Sequence, residues 1–167
     1  VPISMEHKVM DGYKLEEYVD QNTIGVVVIM GVTYTGMYEP VAKVARKLDE
    51  IQETADLDIP IHVDGASGAM IAPFVQPALV WDFRVERVSS ISTSGHKYGL
   101  VYPGIGWVVW RDESLLPESL VFKVSYLGGE MPTFALNFSR PGAQILLQYW
   151  AFLRYGFDGY QKVQQST

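Results

Sequence analysis

The sequence predicts an α/β domain with a mainly parallel sheet flanked by helices. Residues 26–30 form an unbroken run of β-branched and apolar side chains, which is typical of a strand buried on both faces of a parallel sheet. A helical pattern follows, and two further strand-like runs occur at residues 59–63 and 88–92. This alternation indicates right-handed crossover connections, which place successive strands side by side in one sheet.

Two helices are expected in the first half of the chain. Residues 13–20 form a short amphipathic pattern, with Leu15, Tyr18 and Val19 on one side. A longer helix opens after Glu39, with Pro40 in its first turn, where proline is tolerated. Its expected core positions recur at helical spacing and are Val41, Val44, Ala45, Leu48 and Ile51.

The second half of the chain is less regular. Residues 106–110 predict a strand antiparallel to the one before it, because only a tight loop at residues 102–104 separates the two segments. Residues 121–124 are ambiguous. The last helix is expected to start at Ser139 and Pro141 and to end at Gly156. The aromatic side chains expected in the core are Trp107, Trp110, Tyr149 and Trp150.

Composition agrees with one soluble domain. The chain has 167 residues, 48% of them hydrophobic, which is enough for one sizeable core and short for two. It has no cysteine and can form neither a disulfide nor a thiolate metal site, so a cytoplasmic location is expected. A net charge of −6, with 13 lysines and arginines that form no basic cluster, argues against nucleic acid as a partner. The longest uncharged apolar run, residues 24–32, is too short to cross a membrane, and no signal or transit peptide is visible.

A lysine follows the third predicted strand, in the sequence Ser94-Gly95-His96-Lys97. Loops at strand ends carry chemistry, and an unprotonated lysine amine attacks carbonyl groups to form Schiff bases, most commonly with pyridoxal phosphate. Lys97 is therefore the candidate catalytic group. On these four residues alone, a surface lysine after a strand would be the better interpretation, because short motifs match by chance.

A second functional loop begins at Asp64, at the end of the second predicted strand. Asp64 precedes Lys97 by 33 residues, enough for one crossover, so both side chains can reach the same carboxyl edge of the sheet. A carboxylate beside the pyridine nitrogen of pyridoxal phosphate keeps that nitrogen protonated, and Asp64 is the candidate for this role. The small residues Gly65, Ala66 and Gly68 would let a flat ring lie close to the backbone. A simple tight turn is the alternative.

A metal site at His62 is not expected. His62 and Asp64 lie two residues apart on a strand, so their side chains point to the same face. A metal would need a third ligand, and residues 59–81 contain no other histidine or carboxylate.

Seven sequence blocks, in order, carry a family resemblance over essentially the whole chain. The blocks are Gly31-Val32-Thr33-Tyr34-Thr35-Gly36, His62-Val63-Asp64, Trp81-Asp82-Phe83-Arg84, Ser92-Thr93-Ser94-Gly95-His96-Lys97-Tyr98-Gly99, Gly106-Trp107-Val108-Val109-Trp110-Arg111, Tyr126-Leu127-Gly128-Gly129 and Asn137-Phe138-Ser139-Arg140. With them the chain resembles the large, cofactor-binding domain of the glutamate decarboxylases, which are group II pyridoxal-phosphate-dependent decarboxylases of fold type I. Several blocks are typical of the glutamate enzymes rather than of pyridoxal enzymes in general.

The resemblance implies a role for each candidate residue. Lys97 would hold pyridoxal 5'-phosphate as a Schiff base, and Asp64 would face its ring nitrogen. The other implied cofactor contacts are His96 and Ser94 at the phosphate, Ala66, Thr33, and Ser139 from across a dimer interface. The implied reaction is decarboxylation of L-glutamate to γ-aminobutyrate, in a homodimer or higher homo-oligomer. The alternatives are local turn capping for His96 and a helix N-cap for Ser139.

The chain also departs from the family pattern. After the aspartate the family usually has Ala-Ala-Ser-Gly-Gly, whereas this chain has Gly65-Ala66-Ser67-Gly68-Ala69, so one methyl group is lost and one gained. The family's upstream phosphate loop and downstream small domain are missing from residues 1–167. We therefore expect an incomplete large domain with exposed apolar sheet edges. Two other functions stay open: another group II amino-acid decarboxylase, with an aromatic or sulfinic substrate, or a catalytically silent truncated subunit.

Overall fold

The main sheet has four strands. The structure is a computed structural model and describes residues 1, 3–126, 128–137 and 139–167. The strands lie in the order β1 (Val26–Ile29), β2 (Ile61–Asp64), β3 (Val88–Ser94) and β4 (Gly106–Trp110). The first three are parallel and β4 runs antiparallel to β3, which confirms the predicted α/β class and the direction of the fourth strand. Leu127 and Phe138, which belong to two of the resemblance blocks, lie outside the described residues.

Helix α1 (Val41–Ala55) connects β1 to β2 and shares one hydrophobic core with the sheet. All five of its predicted core positions are buried, together with Val28, Ile61 and Val88 of the strands. Burying side chains of this size contributes about 1.5–3 kcal/mol each relative to leaving them exposed. The helix ends at Asp56, which adopts the left-handed conformation (φ 56°) typical of helix C-termini.

The expectation that β1 is buried on both faces is wrong for this chain. Val28 is fully buried, whereas Val27 is 55% exposed. Since successive side chains of a strand point to opposite faces, only the face of β1 that contributes to the core shared with α1 is covered.

The predicted helix at residues 13–20 is also wrong, because the segment forms a single 3-10 turn, Leu15–Glu17. Lys14, immediately before the turn, has a left-handed backbone (φ 54°), so helical geometry cannot extend back through it. Leu15 is buried as predicted, but Tyr18 is exposed. One buried side chain can hold a turn against the core, but it cannot stabilise a longer helix.

The ambiguous segment at residues 121–124 contributes to a strand. It overlaps β5 (Phe122–Tyr126), which pairs with β6 (Gly129–Thr133) in an antiparallel sheet of two strands. A short helix, α2 (Ala72–Val75), lies between β2 and β3 and contacts the last helix of the chain.

Helix α3 (Ala143–Gln165) is the last element and is broken at Gly156, whose φ of 57° and ψ of −166° are not helical. The sequence prediction located this break correctly, but a second helical segment follows it. The predicted start at Ser139 is wrong, because the helix begins after Gly142. Ser139 has a positive φ of 51° and is not an N-cap, which removes that alternative for its role.

The aromatic residues expected in the core lie on incompletely covered surfaces. Tyr149 is 63% exposed and Trp150 is 55% exposed, while Trp107 on β4 is 36% exposed and Trp110 is partly buried. Strand β4 is an edge of the main sheet, so the described residues present the apolar edge that the sequence predicted. Within the described part of the chain, no helix is both long enough and apolar enough to span a bilayer.

Candidate active site

Three loops meet at the carboxyl ends of β1, β2 and β3. The loop after β1 carries Thr33, β2 ends at Asp64, and β3 ends at Ser94. The backbone N–H of Ser94 donates to the carbonyl oxygen of Ala66 at 3.2 Å, which joins the Asp64 loop directly to the turn that carries Lys97. The structure therefore brings these predicted segments to one edge of the sheet, where parallel α/β folds bind ligands.

Asp64 has a fixed carboxylate with capacity for a further partner. The side chain is half-buried, and its Oδ1 accepts a hydrogen bond from the N–H of Ala66 at 3.0 Å. This bond to the residue two positions on holds the carboxylate against its own loop. Within the described residues the carboxylate accepts no other hydrogen bond, so Oδ2 can accept one from a ligand.

The loop that carries Thr33 has a rigid base and an exposed tip. The buried carboxylate of Glu39 accepts hydrogen bonds from the backbone N–H groups of Ile29 at 2.6 Å and Met10 at 3.0 Å. A buried carboxylate is stable only when it is hydrogen-bonded in this way. Thr33 itself is exposed, so its hydroxyl is accessible.

Lys97 lies in the turn formed by residues 94–99, and its side chain is exposed. The N–H of Lys97 is 3.3 Å from the carbonyl oxygen of Ser94, and Nδ1 of His96 is 3.2 Å from the carbonyl oxygen of Ile105. A carbonyl only accepts, so Nδ1 of His96 carries the proton in this arrangement and Nε2 can serve another partner. Because His96 bonds to the segment before β4, local capping of its own turn is not its role.

His62 connects β2 to β3 through both of its ring nitrogens. Its Nδ1 lies 2.7 Å from the hydroxyl of Ser90, and its Nε2 lies 3.2 Å from the hydroxyl of Ser92. Burial lowers the pKa of His62, against a smaller opposing effect of the Asp64 charge, so the neutral imidazole is favoured. No cluster of three or more metal-ligating side chains occurs among the described residues.

Ser139 does not join the other predicted residues. It is exposed and lines a separate cleft of about 920 Å³, together with Trp107 of β4 and Ile145 of α3. A contribution from Ser139 across a subunit interface stays a prediction.

Three polar side chains of α3 that the sequence patterns did not indicate hold the Lys97 turn. Nε2 of Gln148 donates to the carbonyl oxygen of Gly99 at 2.9 Å, and the hydroxyl of Tyr160 donates to the same oxygen at 2.8 Å. Nε2 of Gln164 donates to the carbonyl oxygen of Tyr98 at 2.8 Å. Glutamine recurs in this largely apolar helix, and that pattern could have indicated buried hydrogen bonds.

Glycines pack the Asp64 loop closely against neighbouring backbone. A Cβ atom at Gly68 would lie 2.6 Å from the carbonyl oxygen of Met30, and one at Gly65 would lie 2.9 Å from that of Ser92 and 2.5 Å from Cβ of Ala69. These distances are too short for real contacts. The methyl group that the chain lacks at position 65 would therefore collide with the one that it carries at position 69.

Replacing Gly65 with alanine is expected to destabilise the protein by about 1–3 kcal/mol, because it overpacks the loop. The added Ala69→Gly change should remove the closest contact and recover much of the loss, although the carbonyl of Ser92 would still limit recovery. Thermal unfolding of both single variants and the double variant measures the coupling. Strictly additive effects would show that the two positions do not compete for the same space.

The chain is similar to proteins of one family along almost its whole length. The pyridoxal-dependent decarboxylase conserved domain matches residues 2–167. Glutamate decarboxylase beta of Listeria monocytogenes is 56% identical and glutamate decarboxylase of Lactococcus lactis is 55% identical, each over 100% of this chain and 36% of the relative. The solved structure of Lactobacillus brevis glutamate decarboxylase aligns with a TM-score of 0.92 at 52% identity, over 99% of this chain and 37% of that one.

These similarities confirm the resemblance and the fold type I predicted from the sequence blocks. The chain spans about a third of the length of the curated relatives that it matches. Pyridoxal 5'-phosphate is the cofactor of the matching domain. The chain belongs to the pyridoxal-dependent decarboxylase family.

Proposed function

We propose that the protein containing this chain decarboxylates L-glutamate to γ-aminobutyrate and carbon dioxide, with pyridoxal phosphate attached to Lys97. The observation that carries this proposal is the junction of the Asp64 loop with the Lys97 turn through the bond from Ser94 to Ala66. The 56% identity to a glutamate decarboxylase supports glutamate as the substrate.

The side chains at this edge of the sheet fit pyridoxal phosphate. Lys97 offers an exposed amine for the aldehyde, and Asp64 has a carboxylate oxygen without a partner among the described residues. Ser94 and His96 offer a hydroxyl and a ring nitrogen for the phosphate. When bound, the cofactor supplies an electron sink for the electron pair that remains after a carboxylate leaves the α-carbon.

Each residue has a separate proposed task. The amine of Lys97 would hold the cofactor aldehyde. The carboxylate of Asp64 would keep the pyridine nitrogen protonated, because a nearby negative charge stabilises the cation. Ala66 would contact the ring, and its N–H donates to Oδ1 of Asp64 at 3.0 Å.

Two further residues, Thr33 and Ser139, complete the proposed site, and Ser139 would act in the site of a neighbouring subunit. Thr33 contributes its accessible hydroxyl from the loop after β1. Ser139 would contact the phosphate held by a second copy of the protein, which would require a homodimer or higher homo-oligomer. The exposed apolar faces of β4 and α3 are consistent with burial in a larger assembly, and the absence of cysteine fits a cytoplasmic location.

One experiment separates this function from the two alternatives. Pyridoxal phosphate is added to the protein that includes this chain and its natural flanking sequence, its absorbance is recorded, and product formation from glutamate is assayed. Cofactor absorbance together with γ-aminobutyrate is the expected result. Turnover only of an aromatic or sulfinic amino acid would favour another group II decarboxylase, and cofactor binding without turnover of any of these substrates would favour a silent subunit.

Residues 1–167 alone are expected to give little or no γ-aminobutyrate, even with excess cofactor. The resemblance assigns the phosphate loop to sequence outside this chain, and the apolar faces of β4 and α3 favour association before a competent site forms. The same assay and size-exclusion chromatography test this. A soluble monomer with turnover equal to that of the longer protein would contradict the oligomeric site.

A further inference from the structure

Side chains of α3 donate hydrogen bonds to the turn that carries Lys97. Gln148 and Tyr160 both donate to the carbonyl oxygen of Gly99, which thereby uses both of its lone pairs. Gln164 donates to the neighbouring carbonyl of Tyr98 at 2.8 Å. The two residues that directly follow Lys97 are therefore fixed by side chains from a helix distant in sequence.

These three side chains are buried in spite of their polarity. Gln148 is 0% exposed, Tyr160 is 1% exposed and Gln164 is 5% exposed. Burying an amide or hydroxyl group costs free energy unless it is hydrogen-bonded, and the bonds to the turn offset this cost for the Tyr160 hydroxyl and for Nε2 of both glutamines. The Oε1 atoms of Gln148 and Gln164 have no partner among the described residues. Meanwhile Leu146 and Leu153 of the same helix are 71% and 68% exposed. The inward face of α3 is therefore specialised for hydrogen bonding to the turn.

The break at Gly156 allows both parts of α3 to reach the same carbonyl. Gln148 and Tyr160 are 12 residues apart, yet Nε2 of Gln148 lies 3.2 Å from the hydroxyl of Tyr160. In a straight helix, residues 12 apart would be separated by roughly 18 Å along the axis. The φ of 57° and ψ of −166° at Gly156 lie in a region that is essentially restricted to glycine, and they redirect the second segment.

The turn also depends on these bonds for its own conformation. Leu100, which follows Gly99, has a left-handed backbone (φ 64°), which is unfavourable for a leucine and persists only when the surroundings fix it. Side-chain atoms at Gly95 or Gly99 would collide with Oε1 of Gln148. Gln148 thus both supports the turn and limits the space beneath it.

We propose that Gln148, Tyr160 and Gln164 are positioning residues that fix the turn and thereby the place at which the Lys97 amine meets the cofactor. The consequence for the cofactor rests on the proposed function, whereas the fixing of the turn does not. Tyr160 also stacks on Phe74 of α2, with ring centroids 5.2 Å apart, so it links the segment after the Asp64 loop to the Lys97 turn.

The test compares conservative variants in the full-length protein containing this chain. Tyr160→Phe removes one hydroxyl and keeps the stacked ring, and Gln148→Met and Gln164→Met remove one amide each. Gln161→Met is the matched control, because Gln161 lies on the same helix and donates to the carbonyl oxygen of Phe74 at 3.0 Å instead of to the turn.

The first measurement is hydrogen–deuterium exchange of residues 94–101 in the cofactor-free protein. We expect exchange to become about five- to tenfold faster in Tyr160→Phe, Gln148→Met and Gln164→Met, as follows from the loss of one hydrogen bond, and to stay unchanged in Gln161→Met. Unchanged exchange in all three turn variants, or equal acceleration in the control, would overturn the proposal. If the glutamine variants do not fold, Tyr160→Phe decides alone.

The second measurement is the pH midpoint at which the Lys97–cofactor absorbance changes. A shifted midpoint in Tyr160→Phe, with no shift in Gln161→Met, would support the proposal that Tyr160 positions the Lys97 amine. Equal midpoints in all variants would contradict it. Borohydride reduction of the unsubstituted protein, followed by peptide mapping, checks that the cofactor is on Lys97. Label on another residue would refute the proposed function, while the exchange data would still decide whether α3 fixes the turn.

Discussion

Replacing Lys97 with alanine in the full-length protein is expected to remove the covalent attachment of pyridoxal phosphate and to reduce γ-aminobutyrate formation to below about 1%. Lys97 is exposed at the sheet edge to which Ser94 and Ala66 join the Asp64 loop, and alanine has no group that can react with an aldehyde. Because the side chain is exposed, the thermal unfolding midpoint of the cofactor-free protein should change little.

Borohydride trapping provides the direct measurement. In the unsubstituted protein the reduced cofactor should be recovered on the peptide that contains Lys97, and in Lys97→Ala it should be absent. Lys162→Ala is the matched control, because Lys162 is another exposed lysine and lies near the end of α3. Recovery of the label on a peptide without Lys97 would show that the assignment is wrong.

Replacing Asp64 with asparagine is expected to leave some cofactor bound but to reduce decarboxylation by at least about 100-fold, equivalent to about 2.7 kcal/mol in the activation free energy. The amide oxygen of asparagine can still accept the bond from Ala66, so the loop geometry should persist. The amide carries no negative charge and cannot keep the pyridine nitrogen protonated, so the electron sink fails.

The measurement is turnover normalised to the cofactor content found by absorbance. Asp112→Asn is the matched control, because Oδ1 of Asp112 accepts from the N–H of Ser114 at 2.9 Å in the same two-residue pattern, but Asp112 is exposed and lies outside the proposed site. Near-normal turnover of fully loaded Asp64→Asn protein would disprove the proposed role of Asp64.

Sequence patterns predicted the structural features that depend on residues close together in the sequence. The apolar spacing of α1 identified all five of its buried positions, because a regular helix with one apolar stripe has one way to cover a sheet. The ends of β2 and β3 were predicted one and two residues early, at residues 63 and 92, from polar and small residues after apolar runs. Since parallel strands end at the same edge, those two ends also predicted that the Asp64 loop and the Lys97 turn would lie at one edge of the sheet.

The last helix shows why other features were not predictable. Tyr149 and Trp150 were expected in the core, yet they are 63% and 55% exposed. Gln148 is buried instead, because its partner is a backbone carbonyl on the Lys97 turn. Periodicity describes the faces of a helix, but it does not show which face meets a distant hydrogen-bond acceptor.

By itself the sequence determined the α/β class, the order and direction of the main strands, the family, and the residues proposed to meet the cofactor. Only the tertiary structure decided how the Lys97 turn is supported, how Gly65 and Ala69 share space, and which face of α3 is buried. The bonds from Gln148, Tyr160 and Gln164 to the turn span 49, 61 and 66 residues of sequence. The physical reason is that a buried polar side chain is stable only beside its partner, and folding alone brings partners so far apart in sequence together.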